Sequence, residues 1–345
     1  MGSYKNKRNY GQISLSSHTG GSEAIQYIRF LNAIISNNTF KVTICDLKNK
    51  DRKKLKIMRV FKFMLAFFMT IVSCSNIDQY TDKKKLSPND YRLYQGTIVW
   101  PLARAAHNGN LELIKNILAN NPKLANVKDS IFGNTMLMMS VMNQDLDLFN
   151  ALIDNGAIVN YHNTFGGETP LIEACSYKQY DSNFAKKLVE NGADINDTTC
   201  STNIHISPLM AAAKCGNTSI AKYLIERGAN INYRNNFGST ALGEAMLTQK
   251  YDIVLLLLAH GADFTSPIYN GLDEYGKSTM PVYLLDALRD AMIEIGTAQY
   301  NEKRMIIKFL KSRGFDYNTV PIPDYVIKRA KDIYPSTWQD YLRMY

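Results

Sequence analysis

Apolar and small residues recur along this chain in a two-part pattern. A short run opens on Thr or Ser and continues with Leu and Ala: "TMLMMSV" from Thr135, "TPLIEAC" from Thr169, "SPLMAAA" from Ser207 and "TALGEAM" from Thr240. A second run follows, with apolar residues such as Ile220, Leu224 and Ile225, or Ile253, Leu257 and Leu258, spaced to share one helical face. Each second run closes on a glycine: Gly156, Gly192, Gly228 and Gly261. From the opening Thr or Ser to that glycine is 21 residues in three units and 23 in the fourth, and the unit repeats every 33 to 38 residues. The pattern predicts paired helices. Thr or Ser can cap the first helix, Pro170 and Pro208 suit its first position, and the glycine can end the second in the left-handed conformation. Small residues on the first helix (Ala174, Ala212, Ala213, Ala245) let neighbouring units approach, with Leu171, Leu209 and Leu242 filling the layer beneath. The roughly ten residues between units, such as "NYRNNFGS" from Asn232, are polar and turn-forming.

These residues resemble the ankyrin repeat family over about 97–318. The resemblance implies an all-α solenoid of helix-turn-helix units with projecting β-turn fingers, about six repeats in all, counting degenerate ones at each end. The segment "WPLARAAHNGNLELIKNILANNP" from Trp100 fits as an N-terminal repeat lacking the closing Gly-Ala. At the other end, residues 281–316 read as one more repeat carrying an insertion, with "MPVYLLDALRDAMIEIG" as a long first helix and "EKRMIIKFLKSRGFD" as the second. Residues 319–345 read as one or two short helices capping the open apolar end, since each repeat buries its face only against neighbours. The histidine that commonly follows Thr-Pro-Leu in the family is replaced by Met138, Ile172, Met210 and Gly243, so stability has to rest on packing.

Ahead of the repeats, "MRVFKFMLAFFMTIVSCSN" from Met58 has the three parts of an export signal: a basic start, a ten-residue apolar run at 63–72, and small residues before a cysteine. The run is short of the ~20 residues a membrane-spanning helix needs. Its end resembles the lipobox of bacterial lipoproteins, which implies cleavage after residue 73 and lipidation of Cys74. Residues 1–57, rich in Lys, Asn and Ser and without sustained periodicity, are then a disordered or misassigned upstream extension, and a genuine cytoplasmic extension is the alternative. Residues 74–96 read as a polar tether.

The leader changes the meaning of the net charge. The whole chain is +9, but residues 1–74 hold 13 of the 40 Lys and Arg and 3 of the 31 Asp and Glu, leaving 27 against 28 thereafter. A mature chain near −1 gives no reason to expect nucleic acid. Three cysteines remain after Cys74 (Cys175, Cys200, Cys215), an odd number that allows one bridge or none.

Catalytic and metal-binding signatures do not rise above chance: there is no Cys-x-x-Cys, His-Glu-x-x-His or Gly-x-Gly-x-x-Gly. His162 and His205 fall in successive fingers, but no cysteine or carboxylate is fixed beside both to complete a metal site. The expectation is a monomeric, non-catalytic module without cofactor, binding an unknown protein partner and touching membrane only through its lipid anchor. In the family, partners bind the concave face through finger tips, and the candidates here are Tyr161, His162, Asn163, Tyr233, Arg234 and Asn235. Phe165 and Phe237, each just before a glycine, are placed to pack the finger base. An immunity or stress-protective role against an exported toxin or an oxidant is a second reading, and a cytoplasmic scaffold that is never exported is a third.

Overall fold

A computed structural model describes residues 81–201, 204–272 and 278–345. The proposed leader and Cys74 lie outside the described residues. Among the described residues fourteen α-helices run in order, ten of them as five packed pairs: α1 (Trp100–His107) with α2 (Leu111–Asn120), α3 (Met136–Met142) with α4 (Leu146–Asp154), α5 (Pro170–Cys175) with α6 (Ser182–Glu190), α7 (Pro208–Cys215) with α8 (Thr218–Glu226), and α9 (Ala241–Leu247) with α10 (Tyr251–Ala259); α11 (Leu284–Asp290) then packs on α9 and α12 (Ala298–Ser312) on α10. The last two, α13 (Asp324–Ile333) and α14 (Trp338–Met344), pack on each other at the C-terminal end.

The local chemistry follows the sequence. Thr135, Thr169, Ser207 and Thr240 each accept the N–H three residues on, capping the first helices. The second helices start on Asn110, Asp145, Asp181 and Asn217, whose side chains also accept an early helical N–H. At the far end Gly228 sits at φ +91°, and the Ala229 N–H reaches back to the Leu224 carbonyl at 3.0 Å, satisfying a carbonyl the helix leaves open. First helices stack on first helices and second on second. The alanines that permit this are buried, and one apolar cluster runs from Tyr91 to Tyr317.

Three features depart from expectation. The tether reading fails at its C-terminal half: Leu93 and Tyr94 are fully buried, and the Tyr94 hydroxyl donates to the Asn134 carbonyl at 2.6 Å. Asn134 in turn donates to the Pro88 carbonyl at 3.0 Å. This segment covers the first repeat's apolar end, which would otherwise face water. The long first helix expected over 280–296 is short, α11 alone, because Pro281 and Val282 belong to a strand. That strand, β2 (Ser278–Val282), pairs antiparallel with β1 (Tyr269–Leu272), an unforeseen hairpin in an otherwise helical fold.

The hairpin explains one departure from the family pattern. Gly243 lies inside α9, and a Cβ there would collide with the Ile268 carbonyl oxygen. That oxygen accepts from the Thr240 N–H at 3.0 Å and the Thr240 hydroxyl at 3.2 Å. Glycine is what lets the hairpin's root close against the helix. Among the described residues, no helix is long and apolar enough to cross a membrane.

Candidate protein-binding surface

The loops between repeats form successive fingers at 127–134, 161–168, 197–201 with 204–206, and 233–239, and one device holds each at its base. In the first, the buried Asp129 carboxylate accepts the N–H groups of Ile131 and Phe132 at 2.8 Å and of Asn134 at 2.7 Å. In the second, Asn163 Oδ1 accepts from Gly166 at 3.0 Å and Glu168 at 3.1 Å. Thr199 accepts from Ile206 at 2.9 Å, and Asn235 from Phe237 at 3.0 Å and Ser239 at 2.9 Å. Asn163 and Asn235, read as contact residues, are therefore interior: each is 5% exposed and its side chain holds its own loop. An amide between a tyrosine and a glycine looks the same in sequence whether it faces a partner or its own backbone.

Neighbouring fingers are stitched together. The Thr164 N–H donates to the Phe132 carbonyl at 2.8 Å, and the Cys200 N–H to the Gly167 carbonyl at 3.0 Å. Gly167, at φ +68°, leaves no room for a Cβ against the backbone of Cys200 and Ser201. Below the tips runs an asparagine ladder that sequence reading missed. Asn126, Asn160, Asn196 and Asn232 each accept an N–H from the next repeat, at Ile158, Asp194, Asn230 and Asp263, over 2.7 to 2.9 Å. The recurrence of Asn at intervals of 34 to 36 residues was the available signal. In the last rung Asp263 has its carboxyl held down at about 2, chiefly by hydrogen bonds from Ser266 and Thr265.

The remaining candidates divide by exposure. Tyr161 is half-buried beneath the Lys128 ammonium, 4.6 Å from the ring centroid, while Lys128 also donates to the His162 carbonyl at 2.8 Å. His162 has Nδ1 2.7 Å from the Gly167 carbonyl and Nε2 3.0 Å from an Asp197 carboxylate oxygen. His162 thus links the second finger to the third. Tyr233 packs against the core, while Arg234 is exposed and donates to the Gly238 carbonyl at 2.5 Å.

The phenylalanines reverse the expectation. Phe165 is 73% exposed and meets Phe132 edge-on at 5.7 Å, and Phe237 is also exposed. The stitched backbone already fills the finger base, which leaves these rings facing outward. Cys200 is exposed and Cys175 buried, and the Cys215 thiol donates to the Cys175 carbonyl at 3.2 Å; all three are unbridged.

Comparison with known proteins agrees with this architecture. Residues 102–199 and 184–268 match the family model of ankyrin repeats in three copies. Over 196 residues the chain is 27% identical to an ankyrin repeat protein of Fowlpox virus (strain NVSL), covering 56% of this chain and 52% of that protein. Over 124 residues it is 30% identical to an ankyrin repeat-containing protein of Treponema pallidum (strain Nichols), covering 36% of this chain and 40% of that one. The chain spans about half the length, or less, of these relatives. It folds as an ankyrin-repeat solenoid, an architecture of protein–protein interaction modules that are generally non-catalytic.

Proposed function

We propose that this ankyrin-repeat chain is a non-catalytic adaptor that binds one protein partner along its fingers and first helices. The observation that carries the reading is the outward display of Phe165, Phe237 and Arg234 on a row of fingers, each held by its own side-chain hydrogen bonds and the first three joined by backbone ones. Aromatic and Arg side chains are the commonest interface anchors, and a pre-ordered surface loses little entropy on docking. Tyr161 and His162 flank the same row. The finger reading thereby moves from the buried amides Asn163 and Asn235 to the rings beside them.

The proposal includes location: a lipid on Cys74, added when a signal peptide over 58–73 is removed, would hold the module at a bacterial envelope. The support is the order of basic start, ten-residue apolar run and cysteine. Intact-mass analysis of the protein from native membranes tests it. A chain beginning at an acylated Cys74 is expected, and a soluble chain beginning at Met1 would overturn it. The surface is tested by pull-down from envelope extracts with Phe165→Ala and Tyr161→Ala variants. Loss of a partner recovered by the parent protein is expected, and unchanged recovery of every partner contradicts the finger assignment.

A further inference from the structure

The two C-terminal helices are tied to the rest of the fold by polar bonds laid over a buried amine. α13 and α14 share a small apolar cluster of their own, built on Val326, Ala330, Tyr341 and Tyr345, with Met292 and Ile295 packed against it. Three tyrosine hydroxyls join this pair to the elements before it. Tyr341 donates to the Ile293 carbonyl at 3.1 Å, Tyr345 to the Arg289 carbonyl, and Tyr300 of α12 to the Met344 carbonyl at 2.9 Å. Beneath Tyr345 lies Lys303 of α12, 2% exposed. Its nitrogen donates to the Ala291 carbonyl at 3.0 Å and sits 3.8 Å from the Tyr345 ring centroid and 5.5 Å from that of Tyr317. The elements packed round it bring further ionisable groups. α11 brings the buried Arg289, whose guanidinium lies 3.8 Å from the Tyr317 ring centroid, and Asp290, whose charge bears on Tyr345. α10 brings the buried Tyr251 and the exposed Asp252, whose charge bears on Glu302 beside Lys303.

We propose that α13 and α14 form a lid on the C-terminal end of the solenoid and that Lys303 controls it: the neutral amine keeps the lid shut, and the ammonium loosens it. One carbonyl and two ring faces suit an amine. An ammonium brings three N–H donors and a charge that must leave water beside the Arg289 guanidinium, where like charges repel. The ring faces do attract a cation, yet burial and then the Arg289 charge push the Lys303 amine down to about 7 from 10.5. Lifting Tyr345 relieves the conflict by returning the amine to water. Between about pH 7 and 10 the open lid therefore holds a proton on Lys303 that the closed lid has shed. Falling pH favours opening across that window, and the effect levels off below about 7, where both forms are protonated. Opening bares Met292 and Ile295, which the closed lid covers.

The test follows amide hydrogen exchange of the full chain by mass spectrometry at pH 6.5 and pH 8.5, with each rate divided by that of an unstructured peptide of the same sequence. The amides of α13 and α14 are expected to be less protected than those of α7 at both pH values, because the lid opens by itself. Their protection should rise about tenfold or more from the lower pH to the higher. In Lys303→Met that rise should vanish, with the lid well protected throughout. In Lys303→Arg, charged at both pH values, protection of the lid should be low and equally flat, and melting curves check that each variant folds. Lid amides as protected as those of α7, or lid protection in the parent chain that does not rise with pH, overturn the lid. A rise that survives unchanged in Lys303→Met or Lys303→Arg overturns the control by Lys303.

Discussion

Replacing Gly243 by alanine sets two effects against each other with opposite signs. In a helix interior, Ala is favoured over Gly by about 1 kcal/mol, so propensity alone predicts a more stable protein. The structure predicts the reverse. The added Cβ would overlap the Ile268 carbonyl oxygen, and it would also lie 3.0 Å from the Ile268 carbonyl carbon and 3.2 Å from the Ser239 hydroxyl. The carbonyl must retreat by about 1 Å to reach ordinary contact distance. That retreat weakens both hydrogen bonds from Thr240, at 3.0 and 3.2 Å, each contributing about 1 kcal/mol net, and overpacking a filled site costs about 1–3 kcal/mol besides. The net expectation is a loss of about 1–3 kcal/mol, or a melting temperature lower by roughly 2–6 °C for a chain of this size. Circular dichroism melting reads the loss, and amide exchange locates it: protection should fall first at Thr240. An alanine variant as stable as the parent, or more so, would refute the claim that the glycine exists to admit the hairpin.

Three further expectations are quicker to state. Asn196→Ala removes the acceptor for the Asn230 N–H at 2.7 Å and should cost about 1 kcal/mol, with faster exchange at the Asn230 amide; unchanged exchange would mean the ladder holds nothing. Lys303 is buried, donates to the Ala291 carbonyl at 3.0 Å and lies 3.8 Å from the Tyr345 ring centroid, and burial pushes its pKa down to about 7 from 10.5. The unfolded chain therefore holds a proton there that the folded chain has shed, so this group makes stability rise with pH from about 7 to 10, until tyrosines such as Tyr317, pushed up to about 12, reverse the slope. Lys303→Met should stabilise the protein at neutral pH and flatten that rise in denaturant titrations run at pH 7 and pH 9.5, and a parallel offset would contradict the assignment. Phe165→Ala should leave the melting temperature within about 2 °C, because the ring is 73% exposed, while lowering partner recovery; a large melting shift would mark Phe165 as structural.

Sequence and structure agree where a residue's role follows from its own helix. Thr169 caps because it precedes a helix, and Gly228 ends one because its φ is open only to glycine at little cost. They part where the role depends on a distant segment. Gly243 reads as a weak point in a helix until Ile268 is placed against it. Tyr94 reads as part of a tether until Asn134 is found over its hydroxyl. The fingers show both limits at once: Tyr161 and Asn163 are two residues apart, yet one lies beneath a lysine at the surface and the other is sealed inside its own loop. The buried Glu173 was invisible to periodicity, since its repeat-mates Met139 and Ala211 are apolar and only Glu244 shares its charge. Glu244 accepts from the Ser239 hydroxyl at 2.8 Å, as Glu173 does from the Tyr180 hydroxyl at 3.2 Å.

The central claim is that the finger row is the surface a partner protein covers. A photo-crosslinking amino acid placed at Phe165 in the native host, with the same probe at the exposed Lys222 of α8 as comparison, tests it most directly. The account predicts a discrete crosslinked protein from position 165 and none from position 222. Crosslinks from position 222 with none from 165 would put the partner on the second helices and contradict it.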